Sequence, residues 1–267
     1  LALTPEEDEG FAFKSTALTV NADGIAAGYS HMRWKDSDSI VTMPAYFKDG
    51  EAISFIEQKD DWFAGQASDI NDNNIIIGYA NKTISDKTRT KFYYHDINKG
   101  QTTFPEDYFS SSSSIARDIN NQGIIVGEGE IETNTSTGRR REAFMYEIHA
   151  EKFTNINDLL PCYASNGEDK YPYIIAEATG INENNEIVGS ATKTVKKRDA
   201  KGDIVIDSTG QEEFESVVVA VKLVPIEGDI EKCPTQASDT YERQGASFGF
   251  LSVLLLPLVA IRRRFFL

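Results

Sequence analysis

The sequence has few of the residues that mark metal, redox and catalytic sites. Its two cysteines, Cys162 and Cys233, lie about 70 residues apart and form no C-x-x-C pair, which excludes a zinc ribbon and a thioredoxin-type site. The three histidines are far apart, and no G-x-S-x-G elbow, Walker loop, H-E-x-x-H motif or dinucleotide-binding fingerprint occurs. We therefore assign no catalytic residue and no cofactor, and we expect a non-enzymatic protein.

Positive charge is scarce as well. The 267 residues include 27 Lys and Arg against 42 Asp and Glu, which gives a formal net charge of -15. Because an acidic surface repels the phosphate backbone, we expect no nucleic acid partner. The hydrophobic fraction of 40% is typical of a globular protein, so the chain is long and apolar enough to bury a core.

One twelve-residue pattern occurs four times in the sequence. Its copies run from Ala17 to Gly28, from Ala67 to Gly78, from Ala116 to Gly127 and from Ala178 to Gly189. They share the consensus A-x-x-I-N-x-x-G/N-x-I-V-G, and their central asparagines are spaced by 50, 49 and 62 residues. Self-similarity at a period near 50 residues indicates a repeat architecture.

Each copy of the pattern is predicted to form a tight β-hairpin. The central asparagine can bind the backbone of its own turn, and the Gly or Asn three residues later tolerates a left-handed backbone. The final glycine marks a position where a side chain would not fit. Replacement of one such asparagine, Asn120, by Ala is expected to cost roughly 1 kcal/mol. The predicted turn residues are Asn21, Asn71, Asn120 and Asn182, with Gly28, Gly78, Gly127 and Gly189.

A second hairpin is predicted after each copy, because apolar and aromatic stretches such as Ala143 to Tyr146 are followed by turn residues. Four short strands in about 50 residues match a propeller blade, and a sheet with two apolar faces must stack on its neighbours. We predict an all-β fold over residues 1–230, either a β-propeller or an open arc of about four four-stranded blades.

The repeats resemble the HAF-type repeats of bacterial extracellular proteins. The resemblance lies in the twelve-residue core, in the strand Ala143-Phe144-Met145-Tyr146 and in the phrase Asn157-Asp158-Leu159-Leu160-Pro161. It covers roughly residues 11–228 and implies an extracellular repeat protein, but it says little about activity. The first copy departs from the pattern at Val20, and the fourth carries an insertion of about a dozen residues.

The end of the sequence differs in character from the repeats. Residues 231–244 are polar and typical of a linker, whereas residues 245–267 contain 14 uncharged residues from Phe248 to Ile261. A helix of that length spans about 21 Å, short of the ~30 Å hydrocarbon core of a membrane. We predict a C-terminal hydrophobic helix that acts as a processing signal, with Arg262, Arg263 and Arg264 setting its topology.

This tail resembles a GlyGly-CTERM sorting signal, with Gly245, Ala246 and Ser247 as the processing site. The resemblance implies transient anchoring in the inner membrane and cleavage by a rhomboid-type protease, rhombosortase. The secretion machinery would then deliver the body to the cell surface or the medium. Ala246 stands where such signals usually have a second glycine. Together with the repeats, the tail makes the chain similar to a family of proteobacterial surface proteins of unknown function. A plain membrane anchor and a buried C-terminal helix are the alternatives.

Export bears on the cysteines and on the start of the chain. An exported protein favours a disulfide between Cys162 and Cys233, worth on the order of 4 kcal/mol by chain entropy, although two separate buried thiols also fit the sequence. Because the chain begins with Leu1 rather than Met and shows no signal peptide, we expect it to be the C-terminal part of a longer precursor or a processed product.

Three further features concern loops and ligands. Oxygen-bearing side chains alternate at Asp69, Asn71 and Asn73 as in Ca²⁺ loops, but the closing acidic ligand is missing. The serine run from Ser110 to Ser114 predicts a flexible loop. A mixture typical of sugar-binding sites is formed by Asp60, Asp61, Glu106 and Asp107 near Trp62 and Tyr108.

These observations favour an exported scaffold for binding or adhesion, at the cell surface or secreted, with a glycan among its candidate ligands. The alternative is a secreted propeller hydrolase or lyase that acts on polysaccharide, which would need two convergent carboxyl groups.

Overall fold

The computed structural model describes residues 13–34, 39–57, 62–132, 139–163 and 171–228. These residues form fifteen β-strands and one short 3-10 helix, so the all-β prediction is confirmed. Within the described ranges, no helix has the length and apolarity that a membrane span requires. The predicted linker at residues 231–244 and the predicted C-terminal helix at residues 245–267 lie outside these ranges.

The described strands form four antiparallel sheets, one for each copy of the repeat, and within a sheet each strand pairs with the next one along the chain. The first sheet contains β1 (Ser15–Val20), β2 (Ala26–Arg33), β3 (Ile40–Lys48) and β4 (Glu51–Ser54). The second contains β5 (Ala64–Ile70), β6 (Ile75–Ile84), β7 (Lys87–Asp96) and β8 (Gln101–Thr103).

The third sheet contains β9 (Ser114–Ile119), β10 (Ile124–Glu130), β11 (Arg141–Glu147) and β12 (Lys152–Asn155), and the 3-10 helix (Ile156–Leu159) follows it. The fourth contains β13 (Tyr173–Ile181), β14 (Ile187–Lys196) and β15 (Phe214–Leu223). Four strands are predicted for every blade, and the fourth sheet has three within the described residues. Its last two strands pair over ten residues and continue into a long hairpin.

Apolar side chains on both faces of the sheets bind each sheet to its neighbours. Ile76 of β6 belongs to a core cluster with Ala27 of the first sheet, whereas the next residue, Ile77, belongs to a cluster with Ile125 of the third. Successive side chains of a strand point to opposite faces, so one short apolar run serves two interfaces. A third cluster joins the third and fourth sheets.

The last three residues of the serine run do not belong to the predicted flexible loop. Ser112, Ser113 and Ser114 are buried. Ser114 Oγ donates a hydrogen bond to Asp107 Oδ2 at 2.7 Å and accepts one from the backbone N–H of Phe92 at 3.3 Å. The prediction from composition is wrong here because these hydroxyl groups find partners in the neighbouring strands.

Candidate binding cleft

The four predicted turn asparagines hold their own turns in the same way. Oδ1 of each asparagine accepts a hydrogen bond from the backbone N–H four residues later, at 2.9–3.0 Å. The residue three positions after each asparagine has a positive φ between 59° and 77°, a region that glycine and asparagine tolerate. The turn is therefore determined within each repeat.

The amide nitrogens of the same asparagines connect neighbouring repeats. Asn21 Nδ2 donates to the carbonyl of Asn71 at 3.2 Å, Asn71 Nδ2 to that of Asn120 at 3.1 Å, and Asn120 Nδ2 to that of Asn182 at 3.2 Å. We call this row the asparagine ladder. At its end, Asn182 Nδ2 donates to Glu186 Oε2 of its own repeat at 2.7 Å.

The final glycine of each copy lies where two strands approach closely. A Cβ atom added at Gly28, Gly78, Gly127 or Gly189 would overlap a backbone oxygen of the adjacent first strand. In each sheet the register of that strand pair shifts at this point, as in a β-bulge. The glycines thus allow the bulged strand to keep its pairing.

Two aspartates from adjacent repeats, Asp69 and Asp118, share a hydrogen bond beside the ladder. Thr19 Oγ1 donates to Asp69 Oδ1 at 2.8 Å, and Asp118 Oδ2 accepts from the backbone N–H of Ile181 at 2.7 Å. Burial and the bond to Asp118 raise the pKa of Asp69 to about 7. Below that pH Asp69 therefore holds a proton, which it can donate to Asp118.

A cleft of about 530 Å³ opens between the second and third sheets, beside the ladder. Its lining includes Asn71 and Asn121 from the turns, Tyr94 and Thr103 from β7 and β8, and His149 from the third repeat. The Tyr94 ring lies 6.2 Å from that of Tyr146 across the two sheets. The volume falls within the range of small-molecule sites, about 300–1,000 Å³.

Several polar side chains of this cleft are not used by the protein itself. Within the described ranges, Gln101, Thr103 and His149 make no side-chain hydrogen bond. Asp96 and Lys99, in contrast, form an ion pair of 2.8 Å. Burial raises the pKa of Asp96, but the hydrogen bonds and charge of Lys99 outweigh burial and hold the pKa below its ordinary value.

A second cavity, of about 650 Å³, lies between the first and second sheets and is lined mainly by apolar side chains together with His95. His95 Nδ1 is 2.9 Å from Thr102 Oγ1, and the Thr102 hydroxyl donates to the carbonyl of Phe55 at 3.0 Å. Because that hydroxyl has one proton, His95 Nδ1 must be the donor. Burial lowers the pKa of His95 to about 4, so His95 is a neutral core histidine.

Among the described acidic and aromatic loop residues, Asp107 and Trp62 are engaged by the fold and are not open to a sugar. The Asp107 carboxylate accepts hydrogen bonds from Lys91 Nζ at 2.9 Å, and its side chain is 2% exposed. The Trp62 ring stacks on Phe104 at 3.9 Å. These groups stabilise the fold, while Asp60 and Asp61 lie outside the described residues.

The residues considered for calcium do not converge on one point. Asp69 bonds to Thr19 and Asp118, whereas Asn71 holds its turn and the ladder. In the part of the chain that the structure describes, no group of three or more His, Cys, Asp or Glu is placed to hold a metal ion.

Cys162 follows the 3-10 helix. Cys233, the processing residues Gly245, Ala246 and Ser247, and the arginine cluster lie outside the described ranges, so these assignments stay predictions.

The cleft residues Gln101 and Thr103 are not found by sequence reasoning, because they belong to no motif. They become visible only when the register of β7 and β8 is known.

The chain matches a family described as a protein of unknown function (DUF3466), over residues 1–264. No curated protein matches the chain.

Proposed function

The chain belongs to the DUF3466 family of proteins of unknown function, and we propose that it is an exported, non-enzymatic binding protein. The observation that carries this proposal is the cleft between the second and third sheets. It combines a ligand-sized volume with polar side chains that have no partner in the described protein. We infer that this cleft receives the ligand.

The four sheets serve in this proposal as a scaffold that holds the cleft. Consecutive antiparallel sheets joined by shared apolar clusters are what blades of a β-propeller, or of an open arc of blades, would form. The hydrogen bonds of the asparagine ladder add directional contacts to the non-directional apolar contacts between the sheets. A binding surface on such a scaffold keeps its shape without a ligand.

The carboxyl groups support binding over the alternative of a hydrolase or lyase. A glycosidase needs one carboxyl group that stays protonated near neutral pH beside the substrate. Asp69 has a raised pKa, but it does not line the cleft. It is bonded to Thr19 and Asp118, which belong to the first strands of the two neighbouring sheets. Within the cleft, Lys99 keeps Asp96 ionised.

We expect the purified chain to release no products from a broad panel of polysaccharides and peptides, while it is retained by at least one of them. The measurement is a reducing-end and free-amine assay beside a co-sedimentation assay with the same substrates. Heat-denatured chain is the control for non-specific retention. Product release by native chain that the denatured control lacks would support the hydrolase or lyase instead.

Export through the C-terminal signal is a second part of the proposal, and it rests on the resemblance of residues 245–267 to a sorting tail. We expect the intact mass of the protein from its native host to end near Gly245, Ala246 or Ser247, in the surface or medium fraction. Cells that lack the rhomboid-type protease are the control and should retain the full tail. A mature protein that keeps Phe265-Phe266-Leu267 in the membrane of normal cells would contradict this part.

A further inference from the structure

We propose that the cleft between the second and third sheets binds a neutral oligosaccharide, through contact with the Tyr94 ring and hydrogen bonds to Gln101 and Thr103. This inference rests on the proposed binding function and adds the chemical class of the ligand.

The repeat places equivalent residues in the two cavities, and one of them differs in polarity. In the first sheet Tyr46 pairs with Ile53, and in the second sheet Tyr94 pairs with Thr103. Ile53 lines the first cavity and Thr103 lines the cleft. Among the described residues Thr103 has no side-chain hydrogen-bond partner, so its hydroxyl group is available to a ligand.

The free groups of the cleft match the hydroxyl groups of a sugar. Each sugar hydroxyl can donate one hydrogen bond and accept others, and the Gln101 amide and the Thr103 hydroxyl also offer both donors and acceptors. Asn73 Oδ1 adds an acceptor, since its amide nitrogen already donates to the carbonyl of Asn121. The half-buried Tyr94 supplies an amphipathic ring with a large apolar surface.

The charges of the cleft favour an uncharged ligand. Lys99 is paired with Asp96, so its positive charge is already compensated, and Glu151 adds negative charge to the same lining. The whole chain has a formal net charge of -15. An anionic saccharide would therefore be repelled.

The test uses the full chain and isothermal titration calorimetry. The probes are tetra- to hexasaccharides of glucose, mannose, galactose or N-acetylglucosamine, with oligogalacturonates as anionic counterparts. Thr103→Ile recreates the apolar residue of the first cavity and should weaken binding of the neutral probe at least tenfold. Gln101→Ala removes an exposed amide and should weaken it about three- to tenfold. Gln211→Ala, in the long hairpin of the fourth sheet, is the matched control and should bind within twofold of the wild type.

Each outcome separates the ligand class from the proposed function. Binding of a neutral probe that Thr103→Ile and Gln101→Ala both weaken supports the inference. The inference is overturned if no neutral probe binds, or if neither substitution changes binding while circular dichroism shows an unchanged fold. Preferential binding of oligogalacturonate that depends on Thr103 would also overturn it, yet it would leave the binding function intact. Cleavage of any probe would instead contradict the non-enzymatic function.

Discussion

The Asp69→Asn variant should be more stable than the wild type at pH 8, by about 2–4 kcal/mol. At that pH Asp69 is ionised in a partly buried position beside Asp118, although its ordinary pKa of 3.8 has been raised to about 7. A shift of that size corresponds to about 4 kcal/mol of lost stability at high pH. Asparagine has the same shape, keeps an acceptor for Thr19 and offers a donor to Asp118 at every pH.

The pH dependence of stability identifies the cause. The folded wild type holds a proton on the aspartate pair that the unfolded chain releases, so stability falls as the pH rises from about 4 to 7. His95 acts in the opposite direction, because its pKa is lowered from 6.5 to about 4. The stability that neutral His95 contributes is fully present above pH 6.5 and is lost as the pH falls towards 4. In the wild type, the fall in stability due to Asp69 and the rise due to His95 oppose each other as the pH increases. In Asp69→Asn only the rise due to His95 should remain.

Urea denaturation between pH 4 and pH 8 measures both effects. Asp72→Asn is the matched control, because Asp72 is an exposed aspartate of the same repeat that accepts hydrogen bonds from the backbone N–H of Ala22 and from Asn121. Those bonds lower the pKa of Asp72, so its replacement should not stabilise the protein at pH 8. If Asp69→Asn proved less stable than the wild type at pH 8, a proton held by Asp69 would be the wrong description of this pair.

The Asn120→Ala variant should lose about 3 kcal/mol of stability, more than the roughly 1 kcal/mol expected for a turn residue alone. Asn120 is 2% exposed. Its Oδ1 accepts from the N–H groups of Gln122 and Ile124, and its Nδ2 donates to the carbonyl of Asn182 and to Asn185 Oδ1 at 2.7 Å. Alanine removes all four bonds, whose partner groups belong to exposed or half-buried residues, and each such bond is worth about 0.5–1.5 kcal/mol.

Asn182→Ala separates the turn from the ladder. Asn182 holds its own turn like Asn120 does, but its Nδ2 donates to Glu186 within the same repeat. We expect this variant to lose only about 1 kcal/mol in the same urea titration. Equal losses for the two variants would mean that the bonds between repeats contribute nothing to stability.

The sequence predicts the sheets well and the contacts between them poorly. The spacing of Asn71 from Gly78 is enough to place a hairpin, because turn chemistry acts within a few residues. The bond from Asn71 to the carbonyl of Asn120 joins positions 49 residues apart, so it depends on how closely the sheets stack. The same limit explains the error at Ser112. A run of serines in the sequence suggests exposure to solvent, but the packing of the neighbouring strands buries this residue.

The candidate site shows this limit most clearly. Thr103 ends the short strand β8 and belongs to no motif, and its contrast with Ile53 emerges only from the pairing of each with a tyrosine. The loop residues that do look like a sugar site, such as Asp107 and Trp62, are used by the fold. Residue type alone does not tell a spare polar group from one already bonded.

The acceptors of the asparagine ladder also bear on how such a chain can lengthen or shorten during evolution. Each step ends on a main-chain carbonyl, which every repeat presents whatever its side chains are. A duplicated unit can therefore enter the row, or an inner unit leave it, and re-form the bonds to carbonyls, while the bonds to Asn74 and Asn185 also require an asparagine at the left-handed position of the next turn. The pairing of Asp69 with Asp118 lacks this freedom, since it depends on two particular side chains in adjacent units. A duplication that separated Asp69 from Asp118 would break their hydrogen bond.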